Sequence, residues 1–424
     1  MGRSTGIADL PLHGGRVPEW LADRMARLGR VMVEAMVLQY GRQEVLRRLA
    51  HPFWFQSLGC VMGMDWHSSG ITTSVVGALK RGLAPVEWEL GLHVCGGRGR
   101  HSRATPQELR RLSERLGHDG ATLQRTSRLV AKVDSAAVQD GFDIYLHSFI
   151  LADDGHWVVV QQGMNTGIRQ ARRYHWLSEG LDSFVNEPHA AIDGLSQGQI
   201  VNLTDKRAEA SRRAQVELVN EGPDVILEQL QRGAWRPGSA PHAQLPAHHD
   251  VRASDVFGRR LAAALAAAAD AGPRDFTELL LTPGVGARTV MALAHVAEVI
   301  HGAPSRFTDP ARFSLAHGGK DGHPYPVPLT VYDQTIRVLK DAVNQAKLGR
   351  DEKLSAIRRL DDQARRLESG LPPVDVEELM ARERAVSHTY GGMTVVGPAA
   401  PSEKPAVKRA SRREPAQLSL PLAR

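Results

Sequence analysis

Two glycines flank one small hydrophobe in Leu281-Thr282-Pro283-Gly284-Val285-Gly286-Ala287-Arg288-Thr289, and this is the segment of the chain best suited to holding a phosphate. Glycine lets the backbone turn sharply and lets an anion come close, while the bare amides at the start of the following helix carry partial positive charge. Arg288 and Thr289 offer side-chain donors to the same anion. A glycine-containing turn of purely structural use has the same spacing. A second anion site is expected at Gly96-Gly97-Arg98-Gly99-Arg100-His101-Ser102-Arg103, where pliable backbone joins Gly97, Arg98, Arg100, His101 and Arg103 to a helix start. Its alternative is a solvated basic loop. The glycine-rich loop 316–325 adds Lys320 and His317, which suit a phosphate, a base edge or plain solvent.

A different chemistry is available to Asp134, Asp143, His147 and Gln161 or Gln162. Hard oxygen ligands with a nearby imidazole are what a Mg²⁺ or Mn²⁺ ion needs for phosphodiester cleavage. On that reading Asp134 and Asp143 hold the metal, and Asp143, His147 and Gln161 are catalytic. Alternating polar residues on a half-exposed sheet are equally ordinary surface chemistry. Asp65, His67 and Ser68 are adjacent in sequence, which is not the geometry of a hydrolase triad.

The segment Leu281–Thr289 resembles the helix-hairpin-helix of the DNA glycosylase superfamily. The resemblance implies that Gly284, Val285, Gly286, Arg288, Thr289 and the nearby Lys320 contact DNA. It also implies a catalytic aspartate after the hairpin helix, where Thr308-Asp309-Pro310 stands; Asp309 suits a helix cap as well. Where bifunctional members carry a Schiff-base lysine this chain has Arg288, which stays protonated, so lyase chemistry is not expected. The last residues, Gln417-Leu418-Ser419-Leu420-Pro421-Leu422, are similar to the bacterial sliding-clamp binding peptide. Gln417 supplies an amide anchor, Leu418, Leu420 and Leu422 supply apolar contacts, and a basic tether makes engagement effectively intramolecular once the body is on DNA. Ser4-Thr5-Gly6-Ile7-Ala8-Asp9-Leu10-Pro11-Leu12-His13, Met64-Asp65-Trp66-His67-Ser68-Ser69-Gly70, Gly96–Arg103 and Gln161-Gln162-Gly163-Met164-Asn165 together resemble an uncharacterised prokaryotic family known as domain of unknown function 763, over about residues 4–345.

The elements that must position these groups follow from periodicity. Leu21, Met25, Leu28, Met32 and Met36 recur at helical spacing and predict two helices around Gly41. Many glycines between Trp54 and Gly99 predict tight turns, and Thr105-Pro106 predicts a helix start. Alternation over 142–160 with a turn at Asp153-Asp154-Gly155 predicts a β-hairpin that sets Asp143, Tyr145 and His147 on one face. Helical pattern over 204–231 ends at Arg236-Pro237-Gly238-Ser239, and residues from about 251 read as wholly helical. The expected fold is an α+β domain over 1–190, a helical connector over 191–250, an all-α helix-hairpin-helix domain over 251–385 and a disordered basic tail over 386–424.

A formal charge of +6 and a pI near 9.5 favour an acidic partner such as DNA. Two distant cysteines suggest neither a disulfide nor a zinc site, and no run has the length of a membrane span or the form of a signal peptide. The expected place is cytoplasmic, at the nucleoid. The expected function is DNA repair or replication-associated processing under recruitment by the sliding clamp, with metal-dependent nuclease, non-catalytic DNA-clamp adaptor and monofunctional glycosylase as open alternatives.

Overall fold

The structure, a computed structural model, describes residues 19–64, 70–168, 170–231, 259–311, 329–346, 349–354, 356–359, 393–394 and 397–398. They fall in two units, 1–374 and 375–424.

Helices α1 (Glu19–Tyr40) and α2 (Arg42–Ala50) meet at Gly41, where the apolar spacing places the break. The glycine-rich stretch holds helices between its turns, as α3 (Pro52–Val61), α4 (Gly70–Leu83) and the short α5 (Glu87–Leu90). Its glycines divide between two uses: Gly63, Gly91, Gly96 and Gly97 take φ of +103°, +63°, +85° and +136° in turns, as expected, while a Cβ on Gly82 would sit 2.2 Å from the carbonyl oxygen of Ala26 in α1 and one on Gly59 would sit 2.9 Å from Ile71, so these two serve helix packing.

Strand β1 (Leu92–Arg98) turns directly into α6 (Arg100–Leu116). The helix start expected at Thr105 lies inside this helix. Pro106 cannot donate to the carbonyl of Ser102, and the Thr105 hydroxyl donates to that oxygen in its place at 2.8 Å, so the proline is tolerated without a break. Helix α7 (Gly120–Lys132) returns beside α6 after a short connection, capped by Asp119, and passes through a π-helical turn at Val133–Ala137 into β2 (Val138–Gln139).

The predicted hairpin is present as β3 (Asp143–Ala152) and β4 (Trp157–Asn165). It is the centre of a five-stranded antiparallel sheet, ordered β1-β3-β4-β5-β6, with β5 (Gln170–Leu177) and β6 (Ala191–Asp193). Strand β7 (Gln199–Asn202) precedes helices α8 (Glu209–Glu221), α9 (Pro223–Gln231), α10 (Arg259–Ala271), α11 (Phe276–Leu281) and α12 (Ala287–His301). The region after 251 is not wholly helical: β8 (Arg306–Thr308) pairs with β7 and completes a second sheet, β2-β7-β8. Three residues are too few to show an alternating pattern, so tertiary pairing alone defines that strand. Helix α13 (Leu329–Gln345) packs on α1.

One apolar cluster runs from Leu109, Leu129 and Phe149 through Trp176 and Leu218 to Leu265, Leu280, Val285, Leu293 and Phe307. The helical hairpin thus shares its core with the main sheet. In the second unit the described residues are the antiparallel strands β9 (Met393–Thr394) and β10 (Gly397–Pro398). Among the described residues no helix is long and apolar enough to cross a membrane.

Candidate nucleic-acid interface

Helix α11 is capped by Asp275, which accepts from the amide of Glu278 at 2.8 Å, and ends at Thr282. Gly284 then takes a φ of +88°, a left-handed value that favours glycine and folds the chain back. The turn drives the Val285 side chain fully into the core, and the Val285 amide donates to Thr282 at 3.1 Å. Gly286 occupies the N-cap of α12 with no side chain to cap it, and Val290 is the first residue whose amide closes onto the helix, donating to Gly286 at 3.0 Å. Among the described residues no protein group accepts from the amides of Gly286, Ala287 or Arg288.

Two carbonyls of the same turn are occupied by side chains. Lys132 at the end of α7 donates to the Val285 oxygen, and Gln139 donates to the Ala287 oxygen at 2.9 Å. With those two acceptors covered and the helix-starting donors open, the start of α12 presents the positive electrostatics an oxyanion requires. Arg288 is exposed on this edge, as expected, whereas Thr289 is buried. Burial lowers the pKa of Lys132.

Sequence reasoning missed the neighbours that add charge here. Arg125, Arg128 and Lys132 recur at helical spacing on α7, which packs along α11; Arg125 donates to Thr277 at 3.3 Å, and Arg128 is exposed. Their i, i+3, i+7 spacing was the available signal.

The second expected anion site is a strand-to-helix corner. Gly96, Gly97 and Gly99 have φ of +85°, +136° and +63°. The backbone of Gly96 is committed to protein: its amide donates to Glu108 at 2.9 Å, its carbonyl accepts from Lys80 at 2.9 Å, and Lys80 and Glu108 pair at 2.7 Å. Arg98, Arg100, His101 and Arg103 stay exposed around the uncapped start of α6, with Arg98 lying 5.7 Å from the ring of Tyr145.

The residues expected to hold a metal are not gathered as ligands. A register shift between Ile144 and Leu146 puts Asp143 out of phase with His147, so the predicted common face does not exist; Asp143 pairs with Met164 and is exposed, while His147 pairs with Gln161 and is buried. A β-bulge adds one residue and thereby moves everything before it to the other face. Asp134 and His147 are joined through Gln161: His147 Nδ1 lies 2.7 Å from Gln161 Oε1, and Gln161 donates to Asp134. Asp134, fully buried, also accepts from Trp176 at 3.0 Å and lies 2.6 Å from His189. Ser127 lies 2.9 Å from the other ring nitrogen of His147, whose pKa burial lowers. The result is a saturated core network. Among the described residues no group of three His, Cys, Asp or Glu is placed to hold a metal ion.

Asp309 is likewise consumed. Arg172 grips it with both terminal nitrogens, at 3.0 and 2.7 Å, and also donates to Asp140 at 2.7 Å; all three side chains are buried. Burial opposes the Arg172 charge, but the two carboxylates outweigh it and raise its pKa. The amides of Gln197 and Ala311 donate to Asp309 at 2.6 and 3.0 Å. An aspartate with every lone pair engaged is a cap and an anchor, and a glycosylase role for it finds no open carboxylate. Lys320 and the peptide Gln417, Leu418, Leu420 and Leu422 lie outside the described residues.

No curated protein and no solved structure matches this chain. The model of the family described as protein of unknown function (DUF763) matches residues 6–327, and the chain belongs to that family.

Proposed function

We propose that this protein binds DNA by its phosphate backbone through the turn between α11 and α12, and that it acts in repair or replication-associated processing. The observation that carries the reading is the split between donors and acceptors at Val285–Arg288, where Lys132 and Gln139 cover the Val285 and Ala287 carbonyls and the helix-starting amides are left open. Arg288, Arg125 and Arg128 supply the surrounding positive charge. The terminal peptide from Gln417 is the proposed recruiting element for a sliding clamp.

Titration of a labelled duplex at matched salt tests the grip. Arg288→Glu is expected to weaken binding about tenfold or more and to flatten the dependence of log affinity on log salt by about one. Unchanged affinity and slope would remove the hairpin from the reading. Deletion from Gln417 onward is expected to abolish co-purification with the clamp and to leave duplex affinity intact. Incubation of nicked, flapped and single-stranded DNA with Mg²⁺ or Mn²⁺ tests for a nuclease, and cleavage lost in Asp143→Ala would assign that exposed carboxylate to it.

A further inference from the structure

Resting on the reading of the hairpin as a phosphate grip, we infer that the outer face of α6 and α7 is the bed of a DNA duplex, held by its backbones without reading its bases. Residues 98–132 hold nine Arg or Lys and three Asp or Glu, a net +6 equal to the formal charge of the entire chain. Two of the three acids are committed elsewhere, Asp119 to the cap of α7 and Glu108 to Lys80 and the Gly96 amide. Glu114 stands among the outer arginines, 3.9 Å from Arg110, and Glu278 of α11 lies near Arg125.

The charges share one side. Leu109 and Leu112 of α6 and Leu123, Leu129 and Val130 of α7 pack toward Phe149 and Leu151 of the sheet, so the opposite faces look outward together. On those faces Arg100, Arg103, Arg110 and Arg111 of α6 and Arg125 and Arg128 of α7 are exposed. The side chains of Arg100, Arg103, Arg111 and Arg128 form no ion pair or hydrogen bond among the described residues, which leaves them available to phosphates. The short connection makes the helices antiparallel, so the Arg103 end of α6 lies beside the Lys132 end of α7, and Lys132 touches the hairpin.

Dimensions and composition select the occupant. Two helices packed about 8–10 Å apart present a face roughly 20 Å across. The 17 residues of α6 extend about 25 Å, the length of roughly seven base pairs carrying about fifteen phosphates. Between Arg98 and Lys132 there is no Phe, Trp or Tyr, and the rings at the margin, Tyr145 and Trp88, lie against Arg98 and Arg115, so the two helices carry no row of stacking platforms such as proteins use to hold single strands. Trp88, exposed at the margin of the face, is covered by Arg115 at 3.8 Å, so the two helices offer no cluster of large hydrophobes to a lipid surface.

The test compares full-length protein on a duplex of about 20 base pairs and on one of its strands, between about 50 and 200 mM salt. The triple variant Arg103→Glu/Arg110→Glu/Arg111→Glu is expected to lose at least about thirtyfold in duplex affinity and about three in salt slope, with a smaller effect on the single strand. Glutamine at the same positions, which removes charge and keeps the helix, must act in the same direction. Wild-type duplex affinity in both variants, alongside weakened binding in Arg288→Glu, overturns the bed and leaves the hairpin reading standing. Weakening in the triple variant with none in Arg288→Glu supports the bed and fells the hairpin reading.

Discussion

At the scale of single residues, burial separates groups that act on a partner from groups that hold the fold. Asp309 and His147 both have the side chains of catalysts, and both are enclosed with their polar atoms engaged. Arg288, Arg103 and Arg128 are exposed and free to meet an anion. Asp309→Ala should therefore act as a stability mutation. Removing one carboxylate from a buried guanidinium costs about 3–5 kcal/mol, and denaturant unfolding should show the midpoint falling by a corresponding amount. A stability within about 1 kcal/mol of the parent would mean that Arg172 does not depend on this partner. Sequence could name Asp309 as a cap, and the Ala311 amide does donate to it. It could not show Arg172 arriving from a strand 137 positions away, because no local pattern encodes so distant a pair.

At the scale of elements, long periodic segments were legible and irregularities were not. The hairpin of β3 and β4, the helices around Gly41 and the α11–α12 turn all follow from spacing and turn residues. The bulge near Tyr145 does not, since one inserted residue leaves the alternation of 142–147 intact on paper while reversing the side on which Asp143 emerges. The glycines of α3 and α4 mislead for a related reason. Composition cannot tell a glycine that turns the chain from one that admits a neighbouring helix. Gly82→Ala discriminates the two uses. It should raise intrinsic helix propensity by nearly 1 kcal/mol, yet lower the melting temperature, because the new methyl would meet the Ala26 carbonyl. A rise in melting temperature would show that α1 and α4 can part at little cost.

At the scale of the whole molecule, buried imidazoles make stability depend on pH. Burial, aided by Arg48, lowers His51 from 6.5 to about 4; burial also lowers His147, and holds His175 well below its ordinary value with help from Arg173. The folded chain keeps these rings neutral, while the unfolded chain protonates them near 6.5. Their contribution is full above that pH and is lost as pH falls toward the folded values, on the order of 3 kcal/mol for His51 alone. His51→Asn retains an acceptor for the Trp54 amide at the start of α3 and removes the titration. Its stability curve should be flatter through the acid range, and an unchanged curve would clear His51 of any part in it.

The pairing of β8 with β7 has a practical corollary. The proline- and glycine-rich stretch near residue 237 looks like a seam, but cutting there would strip an edge from one sheet and leave Arg172 facing Asp140 alone. Each piece expressed by itself should aggregate, and the two co-expressed as separate polypeptides should reassemble into one soluble particle, a split protein whose halves report on each other's presence.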